Sequence, residues 1–166
     1  NYSTLNEFQI GKNVSNMDPH DVLRPISQIE TVTVHPDNPY YCIENGILYN
    51  KDKTKIIRVL KNGAIGTVYN IPESVTSIGY GFLEDIEGCE VLNIHANVTS
   101  IHSHAFLCST TLKEINVDAN NSYFKSVNGI LLNKNGTKLI KYPTKKPVDE
   151  NLIPNTVTQY DYRCMA

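Results

Sequence analysis

Laid against itself at an offset of 83 residues, the chain repeats. Residues 34–60 fall over 117–143 without a gap. The identical pairs are Val34/Val117, Asn38/Asn121, Tyr40/Tyr123, Asn45/Asn128, Gly46/Gly129, Ile47/Ile130, Leu48/Leu131, Asn50/Asn133, Lys51/Lys134, Thr54/Thr137, Lys55/Lys138 and Ile57/Ile140. After single-residue slips the match extends both ways, Val14-Ser-Asn-Met17 over Val98-Thr-Ser-Ile101 and Ile71–Ile78 over Ile153–Tyr160. A chain duplicated over most of its length must fold as a repeat of one supersecondary unit, because each copy carries the same pattern.

A shorter period lies inside the long one. Val75-Thr-Ser-Ile78 returns as Val98-Thr-Ser-Ile101 and Ile94 returns as Val117, each 23 residues on. In Leu112-Lys-Glu-Ile115-Asn-Val117, alternation from Ile115 to Val117 puts these two residues on one face of a short parallel strand. The Ala105-Phe106 segment is too short for an independent helix and is expected to form a helical turn on the opposite side. One such unit cannot bury its own apolar edge, so the units must stack. The expected coils cover about 10–35, 70–94, 94–118 and 151–166 of a single domain, 1–166.

Residues 36–69 and 119–150 interrupt the coil pattern. Each carries an aromatic pair (Tyr40-Tyr41, Tyr123-Phe124), then Asn-Gly, then Ile-Leu, then a second polar turn before another apolar pair. Asn-Gly between apolar runs is a strong hairpin signal, since both turn residues need positive φ. These segments are expected to be β-hairpin or three-strand meander insertions.

Together these motifs resemble the BspA-type (type 5) leucine-rich repeat surface proteins. Those have units like I-P-x-S-V-T-S-I-G followed by an Ala-Phe pair, interrupted by Tyr-Tyr hairpins with an internal turn. The matching stretches are 71–79, 98–117, 40–57 and 123–140. Residues 82–89 lack the Ala-Phe pair, and Cys108 sits one place early. The resemblance implies a leucine-rich repeat solenoid with short parallel strands stacked one per coil. It also implies a secreted or cell-surface location and adhesion to an extracellular protein or glycan, including host-derived ones, without catalysis.

The residues themselves limit the other classes. Lys+Arg 15 against Asp+Glu 17 leaves no basic field for nucleic acid or anionic lipid. No apolar run is long enough to span a bilayer as a helix. A secreted form would have lost a signal sequence, since the opening residues show no basic-then-apolar leader. Cys42, Cys89, Cys108 and Cys164 fit no zinc spacing and read as small buried hydrophobes rather than disulfides. His95, His102 and His104 invite a metal reading. A transition-metal site needs three or four converging ligands, and none is forced to join them, so no cofactor is expected. A Cys108–His104 nucleophile pair fails on the expectation that Cys108 is buried and inert. Sequons stand at Asn1, Asn13, Asn97, Asn120 and Asn135. They would map exposed faces if the source were eukaryotic.

The polar strand faces are the candidate binding surface, because on a stacked solenoid they line up across coils. By alternation these residues are Thr31, Thr33, His35, Asn93, His95, Glu114, Asn116 and Asp118. Tyr40, Tyr49 and Tyr123 are expected to be exposed, as ligand anchors or as packing for the hairpins. The alternative function is a structural spacer without its own ligand. The last unit, 160–166, is expected to be frayed or covered by a neighbour, giving a route to self-association.

Overall fold

The computed structural model describes residues 5–165; the sequon at Asn1 and the final Ala166 lie outside them. Regular structure is almost entirely short strands. In chain order they are β1 (Glu7–Ile10), β2 (Thr31–Val34), β3 (Tyr41–Glu44), β4 (Ile47–Asn50), β5 (Lys55–Val59), β6 (Val68–Asn70), β7 (Ser77–Ile78), β8 (Val91–Ile94), β9 (Ser100–Ile101), β10 (Glu114–Val117), β11 (Phe124–Val127), β12 (Ile130–Asn133), β13 (Lys138–Lys141) and β14 (Gln159–Tyr160).

The 23-residue period appears as strand stacking. β6, β8 and β10 form a parallel sheet in which Asn70, Asn93 and Asn116 share one register position and Ile94 lies opposite Val117. Alternation does the sorting: Leu92, Ile94 and Ile115 point into the core, while Asn93, Asn116 and Glu114 face outward. The V-T-S-I segments make a second row, β7 beside β9, at the same spacing. The result is a β-solenoid of about seven turns.

Each interrupting segment folds as an antiparallel meander, β3-β4-β5 and β11-β12-β13. The first is extended by β7 and β9 and the second by β14, in parallel pairing. Asn45-Gly46 and Asn128-Gly129 have φ of 51°, 70°, 53° and 74°, the doubly left-handed turn that closes a two-residue hairpin. Asn38 and Asn121 are buried before the meanders, and each holds the coil below. Asn121 Nδ2 donates to the carbonyls of His95 and Val98, and its Oδ1 accepts from the amides of Tyr123 and Phe124. Asn38 repeats the pattern with Gly11, Val14, Tyr40 and Tyr41.

Four expectations change. The segment around Ala105-Phe106 is not a helical turn but a succession of tight turns, with Ala105 N–H donating to His102 O and Leu107 N–H to His104 O. Continuous helical bonding fails where Cys108 takes a left-handed φ of 49°. Helix is confined to Pro19–Leu23, Arg24–Ile26 and Glu150–Leu152 among the described residues. Tyr49 is buried at 4 % exposure rather than exposed, because it lies on the core side of β4 with Ile47 and Ile56. Cys108 is exposed rather than buried, since the left-handed backbone turns it out while Phe106, Leu107 and Ser109 stay in. The fraying expected of 160–166 does not hold for its described residues: β14 joins β13, Tyr142 N–H bonds Cys164 O, and Cys164 is buried against Ile130, Leu132 and Leu139.

Candidate functional site

The outward face of β6-β8-β10 is a ladder of amides. Asn93 Nδ2 donates to Asn70 Oδ1 at 2.7 Å, and Asn116 Nδ2 donates to Asn93 Oδ1 at 3.1 Å. Stacking at one register makes this possible, because neighbouring strands lie one hydrogen-bond repeat apart. Asn70 and Glu73 join this face, beyond the residues that alternation picks out. The 23-residue spacing from Asn70 to Asn93 to Asn116 was the signal that could have found Asn70.

At the end of each strand the next residue makes a turn. His35 Nδ1 accepts from Asp37 N–H at 3.2 Å, His95 Nδ1 from Asn97 N–H at 3.2 Å, and Asp118 Oδ1 from Asn120 N–H at 2.8 Å. His95 Nε2 lies 3.0 Å from Pro72 O, so a neutral imidazole with its proton on Nε2 satisfies both contacts. Glu73 stands 3.7 Å from His95 Nδ1.

The eight strand-face residues do not form one surface. Asn93, His95, Asn116 and Asp118 line a shallow groove of about 380 Å³ with Asn70 and Glu73. Thr33 and His35 line another of about 420 Å³ with Tyr41, Cys42 and Lys51. Thr31 belongs to a third with Glu30 and Asn62. Glu114 packs against the Asn128-Gly129 turn, where a β-carbon on Gly129 would meet its Cγ. The division arises because β1-β2 is a sheet of its own, unpaired with β6, with the first meander intervening in sequence.

A second cluster sits on the β7-β9 side. Tyr80 stacks on His104 at 5.4 Å and 14°, meets His102 edge-on at 5.3 Å, and His104 contacts Tyr162 at 4.9 Å. Arg163 lies over Tyr162 at 5.3 Å. Burial, then the neighbouring His104 and Lys55 charges, hold the His102 imidazole below its usual pKa. The two imidazole centroids are 5.5 Å apart, His104 Nδ1 is 2.9 Å from Ser103 Oγ, and His102 Nδ1 accepts from His104 N–H. Among the described residues no three His, Cys, Asp or Glu groups converge as metal ligands. The Cys89 thiol, deep in the core, is pushed up by burial to about 11, which removes nucleophilic character there. Tyr40 and Tyr123, at equivalent positions before the meanders, are about half exposed.

Stacked parallel strands, duplicated meanders and a shallow polar strand face define a repeat-built β-solenoid. Among solved structures, the pneumococcal vaccine antigen PcpA shares this fold at a TM-score of 0.52 and 18% identity, over 96% of this chain and 42% of that one. A leucine-rich repeat protein from Eubacterium ventriosum gives a TM-score of 0.49 at 17% identity, over 97% of this chain and 52% of that one. The chain therefore spans about half or less of either neighbour's length. No protein-family model matches the chain. No curated protein matches it either.

Proposed function

We propose that this chain is a non-catalytic binding module of a secreted or cell-surface leucine-rich repeat protein of the BspA type, and that it engages an extracellular protein or glycan. The observation that carries the reading is the groove of about 380 Å³ in which Asn70, Glu73, Asn93, His95, Asn116 and Asp118 present amides, an imidazole and carboxylates from successive coils. Such a surface is wide, shallow and polar, which suits recognition of a large partner rather than enclosure of a reacting small molecule. The repeat motifs support the leucine-rich repeat assignment, and the shared fold with a vaccine antigen is in keeping with a surface location.

The test is binding to an array of extracellular-matrix proteins and glycans, with the wild-type chain beside a variant in which Glu114, Asn116 and Asp118 are replaced together. Binding that is lost in the folded variant supports the strand face. Equal binding by both proteins moves the site elsewhere.

One observation favours a spacer. The Asn70, Asn93 and Asn116 amides are spent partly on one another, as in a ladder whose work is to hold coils in register. On that reading neither protein binds anything on the array.

A further inference from the structure

The duplication supplies its own comparison. Lys55 and Lys138 are equivalent, each at the start of the third meander strand. Lys138 Nζ pairs with Asp161 Oδ2 at 3.0 Å. The position equivalent to Asp161 in the first half is Gly79, by the alignment of 71–78 with 153–160. Gly79 tolerates no side chain: a β-carbon there would lie 2.7 Å from Ile56 O. Lys55 is left exposed and makes no ion pair among the described residues.

Beside Lys55 a groove of about 310 Å³ opens between the N-terminal coil and the β5-β7 pair. Met17, Leu23, Tyr41 and Ile57 form its apolar walls, and Lys55 and His102 are the cation-forming side chains on its rim. In the second half, Tyr162, the counterpart of Tyr80, contacts His104. In the first half Tyr80 stacks on the same His104 from the following coil and so forms a wall of the open groove.

We propose that this groove is a binding site for an acidic peptide segment: an aspartate or glutamate carboxylate meets Lys55 where Asp161 meets Lys138, and an adjacent apolar side chain enters between Met17 and Ile57. Charge complementarity sets the carboxylate, because an exposed ammonium beside an apolar wall gains from a charge-assisted bond. The walls favour a peptide over an acidic sugar. A sugar prefers a free aromatic face, but His104 stacks on Tyr80 and His102 meets the same ring edge-on. Lys55 is also close enough to depress the His102 imidazole, after burial and His104, so a bound carboxylate would raise it. The site shares no lining residue with the groove of Asn93, His95, Asn116 and Asp118, so either can fail without the other.

The experiment is an NMR titration of the full chain with N-acetyl-Asp-Leu-amide, N-acetyl-Asn-Leu-amide and N-acetylneuraminate, reading the Met17 methyl and the His102 ring. The proposal expects saturable shifts with the Asp peptide at millimolar concentration, with the Asn isostere and the sugar acid about fivefold weaker or worse. It expects Lys55→Met to weaken the Asp peptide by about the same factor, and Lys138→Met to leave it unchanged. Absence of shifts with the Asp peptide overturns the site. Equal binding of the Asn isostere, or full binding by a folded Lys55→Met variant, overturns the carboxylate contact. Equal binding of the sugar acid overturns the peptide class. The isostere comparison uses the wild-type chain alone, so it stands even if a variant fails to fold.

Discussion

At the residue scale, the fold depends on a few buried polar groups whose partners are fully specified. Asn121 makes four hydrogen bonds to backbone groups of two coils, and Asn38 makes the same four one repeat earlier. Replacing Asn121 by Ala strands two carbonyls and two amides in a buried seam, and is expected to cost about 3 kcal/mol in urea denaturation. A loss below about 1 kcal/mol would mean that water reaches the seam. Lys141, equivalent to Arg58, is also buried. Arg58 Nη2 lies 2.8 Å from Glu84 Oε2, though poorly aligned for a hydrogen bond, whereas Lys141 Nζ bonds Phe106 O at 3.4 Å. Burial, outweighing the nearby thiols of Cys164 and Cys108, holds the Lys141 ammonium below its ordinary pKa of 10.5. Below that depressed value both states are protonated and the burial penalty is complete. Between it and 10.5 the unfolded chain alone keeps the proton, so stability climbs with pH. Lys141→Met should abolish that alkaline climb; denaturation midpoints across pH 7 to 11 decide it.

At the element scale, the meanders owe their closure to Asn-Gly turns, yet the two copies sit in different surroundings. A β-carbon on Gly46 would lie 2.5 Å from Gly63 Cα and 2.6 Å from Asn62 O, both backbone. On Gly129 the nearest atom is Glu114 Cγ at 2.7 Å, part of a flexible side chain that can move aside. Both alanine variants bear about 1–2 kcal/mol for the left-handed backbone, and Gly46→Ala should cost at least about 1 kcal/mol more. Equal losses in the two variants would show that the loop carrying Gly63 yields freely. Both meanders also carry a register shift at the same place, Leu48/Tyr49 and Leu131/Leu132, so the irregularity belongs to the repeat unit.

At the scale of the whole molecule, one apolar cluster runs from Ile47 through Leu92 and Ile115 to Leu131, drawing on both meanders and the coils between them. A stack of identical coils can unfold piecemeal, but a shared core couples its parts. Ile115→Ala should therefore lower stability by about 3–4 kcal/mol while leaving a single transition. Circular dichroism and tyrosine fluorescence, the latter available because the chain has ten Tyr and no Trp, should report the same midpoint. Separate midpoints for the two signals would break the coupling argument.

The repeat itself was legible in the residues, because hydrophobic period and turn chemistry are local. The 23-residue spacing places Ile94 beside Val117, and Asn-Gly marks both hairpins. What local pattern could not carry was the direction of side chains where the backbone leaves regular geometry, as at Cys108, or the side of a meander strand that faces the core, as at Tyr49. Nor could it show that the strand-face residues divide among separate grooves, since alternation gives a face but not the neighbours across it. The contrast between paired Lys138 and unpaired Lys55 was equally hidden, although Gly79 and Asp161 stood in the alignment. Periodicity is a property of the chain, whereas a site is a set of distances between coils, and only stacking fixes those.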